Sequence, residues 1–286
     1  MDFNVNNRKI FDAHSHIGKF GPRTMKHNVI DPFKDREIKS VKDLEAYKKR
    51  LGISFMLVTP NYAPEQELAF GYNELLLEAI YLEGVYGALW VSPLPENKDM
   101  NEKALSLLPH DKIVALKMSP DSWPKGKYSP RPSTWDSEFK ENMINILKIA
   151  KKYDLIIHMH TGSNNSGMYQ YIPFIEEYGK GVKIHFVHMG SSAGGHMMFV
   201  PLFIKWLQEG YDFYCDTSMC KGFGPNWLVQ ELLEKFPSGL DRVLFASDNP
   251  WGLFESEFWR IEAMNCSDEI KDKIFYSNAY NLYINR

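Results

Sequence analysis

Cysteine is scarce in this chain: Cys215, Cys220 and Cys266 make an odd number, and none stands in a CxxC spacing. That excludes a disulfide framework and a zinc–thiolate cluster, and a reducing cytoplasm is the simplest compartment to expect. Charge of one sign is also lacking. Lysine and arginine total 33 against 36 aspartate and glutamate, a net charge of −3. Only short basic clusters such as 48–50 and 151–152 occur, so neither nucleic acid nor an anionic membrane is indicated as a partner. Long apolar runs are missing too. The longest, Met197–Leu207, is broken by Pro201 and Lys205 and is too short to span a bilayer. Residues 1–9 are polar and lack the apolar core of a signal peptide. No Gly/Ser linker divides the chain, which reads as one domain over 1–286. These exclusions leave a small molecule as the expected substrate, and a homo-oligomer stays open.

What is present is a repeated alternation. Apolar, β-rich runs occur at Ile10–His16, Ile53–Val58, Val85–Val91, Ile113–Met118, Leu155–His160, Val182–His188, Tyr211–Thr217 and Val243–Ser247. Each is bounded by Gly, Pro, Asn or Asp. Helical patterns separate them at Val41–Leu51, Tyr72–Glu83, Asn101–Leu108, Asp136–Tyr153, Tyr169–Tyr178, Met197–Glu209 and Asn226–Phe236. A C-terminal pair follows from Glu255. Asp136, Asn226 and Ser267 suit N-caps. Strand–helix alternation implies a parallel sheet, and eight units fit a closed (β/α)₈ TIM barrel better than an open doubly wound sheet. Gly18–Ser40 and Ser119–Trp135 form long loops after the first and fourth strands, where they can wall a pocket.

The interior of a buried parallel strand should be apolar, so its polar exceptions are informative. The first strand ends Asp12-Ala13-His14-Ser15-His16, with alternate residues expected on one face. The fifth ends His158-Met159-His160, the sixth His185-Phe186-Val187-His188 and the eighth Ser247-Asp248. Buried His and Asp are costly unless paired or bound to metal. Four strand ends converging in a barrel would gather imidazoles and a carboxylate into a nitrogen/oxygen site for a divalent ion. His185, of opposite parity to His188, is expected to face the helices. His27, His110 and His196 are read as surface residues.

These motifs resemble the amidohydrolase superfamily, in particular the amidohydrolase-related (amidohydrolase 2) metal-dependent hydrolases of TIM-barrel fold. The resemblance rests on Asp12-Ala13-His14-Ser15-His16, His160-Thr161-Gly162, His188-Met189-Gly190, Tyr214-Cys215-Asp216-Thr217-Ser218, Phe245-Ala246-Ser247-Asp248-Asn249-Pro250 and Asn278-Ala279. It implies metal ligation by His14, His16, His160 and Asp248, with zinc first and manganese or iron as alternatives. Asp248 would also accept a proton from water, and His188 would polarise the substrate beside the ion. His158, one pleat from His160, becomes a supporting partner or substrate contact. In binuclear relatives a strand-four lysine is carbamylated and bridges two metals. The amidohydrolase-related group usually does without that bridge, so Lys117 reads first as reaching solvent or an anionic substrate, with the bridge to a second metal as the alternative. Asp12 and Asp216 would hydrogen-bond the ligating imidazoles or pair within the barrel. Trp251, Arg23, Arg131 and Trp123 belong to the mouth loops. The implied activity is attack of metal-activated water on an amide, ester or lactone carbonyl. A carboxy-lyase or hydratase for an unsaturated or aromatic acid is the alternative. A non-catalytic metal-binding barrel fits the complete histidine set less well.

Overall fold

The computed structural model describes residue 5 and residues 8–19, 36–61 and 66–285. Its frame is an eight-stranded sheet in sequence order, every adjacent pair parallel. The strands are β1 (Phe11–Ile17), β2 (Phe55–Pro60), β3 (Val85–Trp90), β4 (Ile113–Met118), β5 (Ile156–His160), β6 (Ile184–Val187), β7 (Phe213–Asp216) and β8 (Val243–Leu244). The backbone of β1 also bonds to the segment beyond β8. Ala13 N–H donates to Phe245, His16 N–H to Asn249, and Asp248 N–H to His14. These bonds join the two edges of the sheet, giving the expected (β/α)₈ barrel.

The helices between strands are α1 (Val41–Arg50), α2 (Gln66–Ala79), α3 (Lys98–Leu105), α4 (Ser137–Lys152), α5 (Met168–Tyr178), α6 (Ala193–Gln208) and α7 (Phe223–Lys235). After β8 come α8 (Phe254–Glu262), α9 (Asp268–Asp272) and α10 (Asn278–Tyr283). Asp136 caps α4 by accepting from Phe139 N–H at 2.9 Å, and Ser267 caps α9 from Ile270 N–H. Asn226 does not cap: α7 begins at Phe223, a turn earlier than its apolar pattern indicates. No helix among the described residues is long and apolar enough to cross a membrane.

Two apolar layers position the site. The larger fills the space between strands and helices, with Phe139, Phe186, Phe199 and Phe258 fully buried. The smaller gathers Phe11, Ala13, Leu57, Ala88, Val114, Ile156 and Leu244 with Leu282 and Tyr283 of α10. Most of these residues lie near strand starts, so α10 packs across that end of the barrel. Polar side chains are left to gather at the opposite end, where the strands finish, as the architecture requires.

Candidate metal centre

The donor atoms of His14, His16 and Asp248 all lie within 4.8 Å of one another, and all three residues are buried. Asp248 Oδ1 is 3.1 Å from both His14 Nε2 and His16 Nε2. The other nitrogen of each ring is also engaged. His16 Nδ1–H donates to the Pro60 carbonyl at 3.1 Å, and His14 Nδ1 stands 2.9 Å from His158 Nε2. With Nδ1 used for support, both Nε2 lone pairs face the same carboxylate oxygen. A metal-binding imidazole characteristically ties its far nitrogen to an outer partner in this way. Burial, followed by the charge of Lys117, pushes His14 well below the ordinary histidine value, so its ring is neutral and able to ligate. The donor set therefore fits a divalent ion.

The backbone that delivers these groups is unusual. Asp248 has φ of +53°, His188 +73°, Met189 +49° and Ser191 +59°. Left-handed backbone in non-glycine residues costs free energy and collects at functional sites. At β6 it has a direct consequence. The strand stops at Val187 and His188 leaves it in a left-handed turn, so strand parity no longer relates His188 to His185. His185 consequently does not face the helices. Its ring is 4.4 Å from that of His158, its Nε2–H meets Asp216 Oδ2 at 2.9 Å, and its Nδ1 accepts from the Tyr283 hydroxyl at 2.6 Å.

His188 is held through Asp216. Oδ1 of Asp216 accepts His188 N–H at 3.2 Å and the Ser218 hydroxyl at 2.6 Å. With its proton committed to Asp216, Ser218 Oγ accepts from His188 Nδ1–H at 2.9 Å. His188 Nε2 is left bare, 3.7 Å from Asp248 Oδ2. Burial lowers His188 to about 4, so at neutral pH it is an uncharged ring that offers a lone pair. Asp216 thus steadies His188 and His185 rather than His14 or His16.

Several expected residues take other places. His160, expected as third ligand, is not in the close group: its Nε2 lies 3.1 Å from Asp121 Oδ2 and its ring 5.0 Å from that of His188. Asp12 does not meet an imidazole either. The β1–β2 register shifts between Asp12 and Ser15, and Phe11 and Ala13 join the inner apolar cluster. The Asp12 carboxylate instead accepts Ser247 N–H at 2.8 Å, the Ser247 hydroxyl at 2.6 Å and His14 N–H at 3.4 Å. It fastens β1 to the segment carrying Asp248, and burial raises it to about 7. Trp123 is core, buried edge-on against Phe139. Arg131 stands over the Tyr169 ring, while Arg23 and His27 fall outside the described residues. His196 is fully buried instead of exposed: Nδ1–H donates to the Met189 carbonyl at 2.7 Å and Nε2 accepts Lys221 N–H at 2.9 Å.

A cavity of about 200 Å³ opens over His16 and Asp248, two of the three close donors, and is also lined by Lys117, Ser119, Asp121, His160, His188, Ser191, Met219 and Trp251. Larger surface hollows, such as that beside α1, contain none of the close donors, so the chemistry singles out the smaller one. Lys117 is almost completely buried and burial lowers it to about 8, which still leaves a cation at neutral pH. Asp121 carries no signal in the sequence that marks it for the site. It lies in the turn Pro120–Ser122, within a loop that was expected to wall the pocket but offered no strand parity to orient it.

A parallel barrel with imidazoles and a carboxylate at the strand ends has the layout of a (β/α)₈ enzyme that can carry a metal ion. The chain belongs to the amidohydrolase family, whose model matches residues 12–284. Comparison with curated protein sequences finds no match. Among solved structures, 2,6-dihydroxybenzoate decarboxylase from Rhizobium is similar at 16% identity and a TM-score of 0.66, covering 96% of this chain and 98% of that one. The manganese complex of 5-carboxyvanillate decarboxylase from Novosphingobium aromaticivorans is similar at 14% identity and 0.66, covering 96% of each chain. A probable 2-pyrone-4,6-dicarboxylic acid hydrolase from Acinetobacter baumannii matches at 13% identity and 0.60, covering 96% of this chain and 98% of that one.

Proposed function

We propose that the chain is a metal-dependent enzyme acting on a small organic molecule, with a divalent ion held by His14, His16 and Asp248. The observation that carries this reading is the pair of Nε2 atoms, each 3.1 Å from one Asp248 oxygen, with both Nδ1 atoms tied back. A divalent ion there supplies Lewis-acid polarisation and makes water acidic near neutral pH. His160, on the cavity wall beside His188, is the nearest candidate for a further ligand, as the family resemblance implies.

The roles of the side chains follow from their placement. Asp248 Oδ2 points toward His188 and can take a proton from water at the reacting centre. His188, with its proton fixed on Nδ1, presents Nε2 as acceptor and can carry a proton to a leaving group once charged. Trp251 and Met219 supply apolar wall, and the small cavity restricts bulk water. These groups suit hydrolysis of an ester, amide or lactone, with zinc or manganese as the ion.

A second reading, decarboxylation of an unsaturated or aromatic acid, is supported by the number of decarboxylases among the similar structures, which match at TM-scores of 0.62 to 0.67, against 0.60 for the pyrone hydrolase. The same Asp248 and His188 would then deliver a proton to carbon. The deciding experiment assays a panel of small lactones, esters, amides and aromatic acids for carbon dioxide release and for acid, alcohol or amine release. Turnover with release of an acid supports hydrolysis, carbon dioxide supports the lyase, and activity unaffected by removal of metal contradicts both.

A further inference from the structure

Lys117 is the one lysine or arginine that lines the cavity, and although the charges of Asp248 and Asp216 act on it, its ammonium has no hydrogen-bond partner among the described residues. It ends β4, pairs in register with His158 of β5, and is 1% exposed. The residue lines the cavity, and its buried Nζ makes no hydrogen bond. The carboxylates around it are engaged elsewhere. Asp248 meets His14 and His16, Asp121 meets His160, Asp216 holds His185 and Ser218, and Asp12 holds Ser247. A buried ammonium without hydrogen-bond partners is strongly destabilising unless something arrives to pair with it.

We infer that Lys117 is the anion-recognition group of this cavity and that the substrate carries a carboxylate placed on its Nζ, an assignment that deepens the reading proposed above. An incoming carboxylate gains a charge-assisted hydrogen bond in a site from which water is largely excluded. The Ser119 and Ser191 hydroxyls lie on the same wall and can share the second oxygen. Trp251 and Met219 face an apolar body, and about 200 Å³ admits little more than a single ring or short chain. The substrate class is therefore a small acid with one carboxylate on Lys117 and its reacting group, a carbonyl or a second carboxylate, held toward His16 and Asp248. Fixing one end on Lys117 orients the other, which is where positioning contributes to rate.

The test uses benzoate and its neutral counterpart benzamide as probes. Each is titrated calorimetrically into the purified protein, as isolated and after treatment with a chelator. Wild type should prefer benzoate by on the order of tenfold or more in both states, because the preference comes from Lys117 and not from the ion. Lys117→Met, close in volume and suited to a buried position, should lose that preference while keeping its metal content. Lys117→Gln should do the same. Equal affinity of wild type for the two probes, no detectable benzoate binding, or an undiminished preference in both variants would overturn the inference. So would an intact mass showing a carbamylated lysine together with two ions per chain. Failure of the metal reading gives a different pattern: benzoate binding persists in a protein that takes up no ion.

Discussion

His158 Nε2 stands 2.9 Å from His14 Nδ1, both rings buried beneath the cavity floor. If His14 Nε2 ligates an ion, its proton must sit on Nδ1 and His158 must accept it. Burial, with the charge of His185 next, keeps His158 well below the ordinary histidine range and so available as an acceptor. One histidine thereby sets the tautomer and ring angle of another.

Replacing His158 should therefore weaken metal binding without removing a ligand. His158→Ala is expected to lower metal affinity by about 10- to 100-fold, with His158→Gln recovering part of the loss through its amide oxygen. Competition against a chelating dye measures this. Unchanged affinity in His158→Ala would show that the contact does not orient His14.

Beneath that pair, Tyr283 connects the closing helix to the polar core. His185 donates from Nε2 to Asp216, so its Nδ1 depends on the Tyr283 hydroxyl at 2.6 Å. Tyr283→Phe keeps the ring and strands a buried acceptor, and should cost about 1–3 kcal/mol in urea unfolding. Tyr283 is remote from the cavity lining, so metal content should not change.

How far the sequence made this legible depended on whether a regular strand carried the residue. His14 and His16 stand out in the sequence as polar exceptions in an apolar strand, Asp248 as the polar end of the last apolar run, and the eight-strand order follows from the apolar runs. His185 departs from its expected place because alternation does not carry past Val187, where the backbone turns left-handed. Of the two places expected for Asp12, pairing within the barrel is the one seen, through Ser247, and the register shift in β1 beside it is announced by no residue type in that strand. Asp121 lies on a turn, where periodicity says nothing about direction. His196 looked like a surface residue because its two partners, the Met189 carbonyl and Lys221 N–H, are backbone groups. Backbone partners leave no trace in side-chain pattern.

His196 gives a pH prediction with a definite sign. Its Nε2 must stay unprotonated to accept Lys221 N–H, and burial lowers it below its ordinary value of 6.5. The unfolded chain then binds the proton more readily than the fold does. The stability His196 contributes is present above about pH 6.5 and lost as pH falls below it. His14, His158 and His188 are lowered as well and act in the same direction. The urea midpoint should fall with acidification, and His196→Asn should show a shallower fall than wild type. Parallel curves would contradict the assigned role.

The most direct test of the metal centre is elemental analysis of the purified chain beside a His14→Ala/His16→Ala variant, after growth with zinc and manganese supplied. One divalent transition-metal ion per wild-type chain is expected, and a substoichiometric amount in a variant that retains its far-ultraviolet circular dichroism. A wild-type protein that acquires no ion, or a folded double variant that holds as much as wild type, would contradict it.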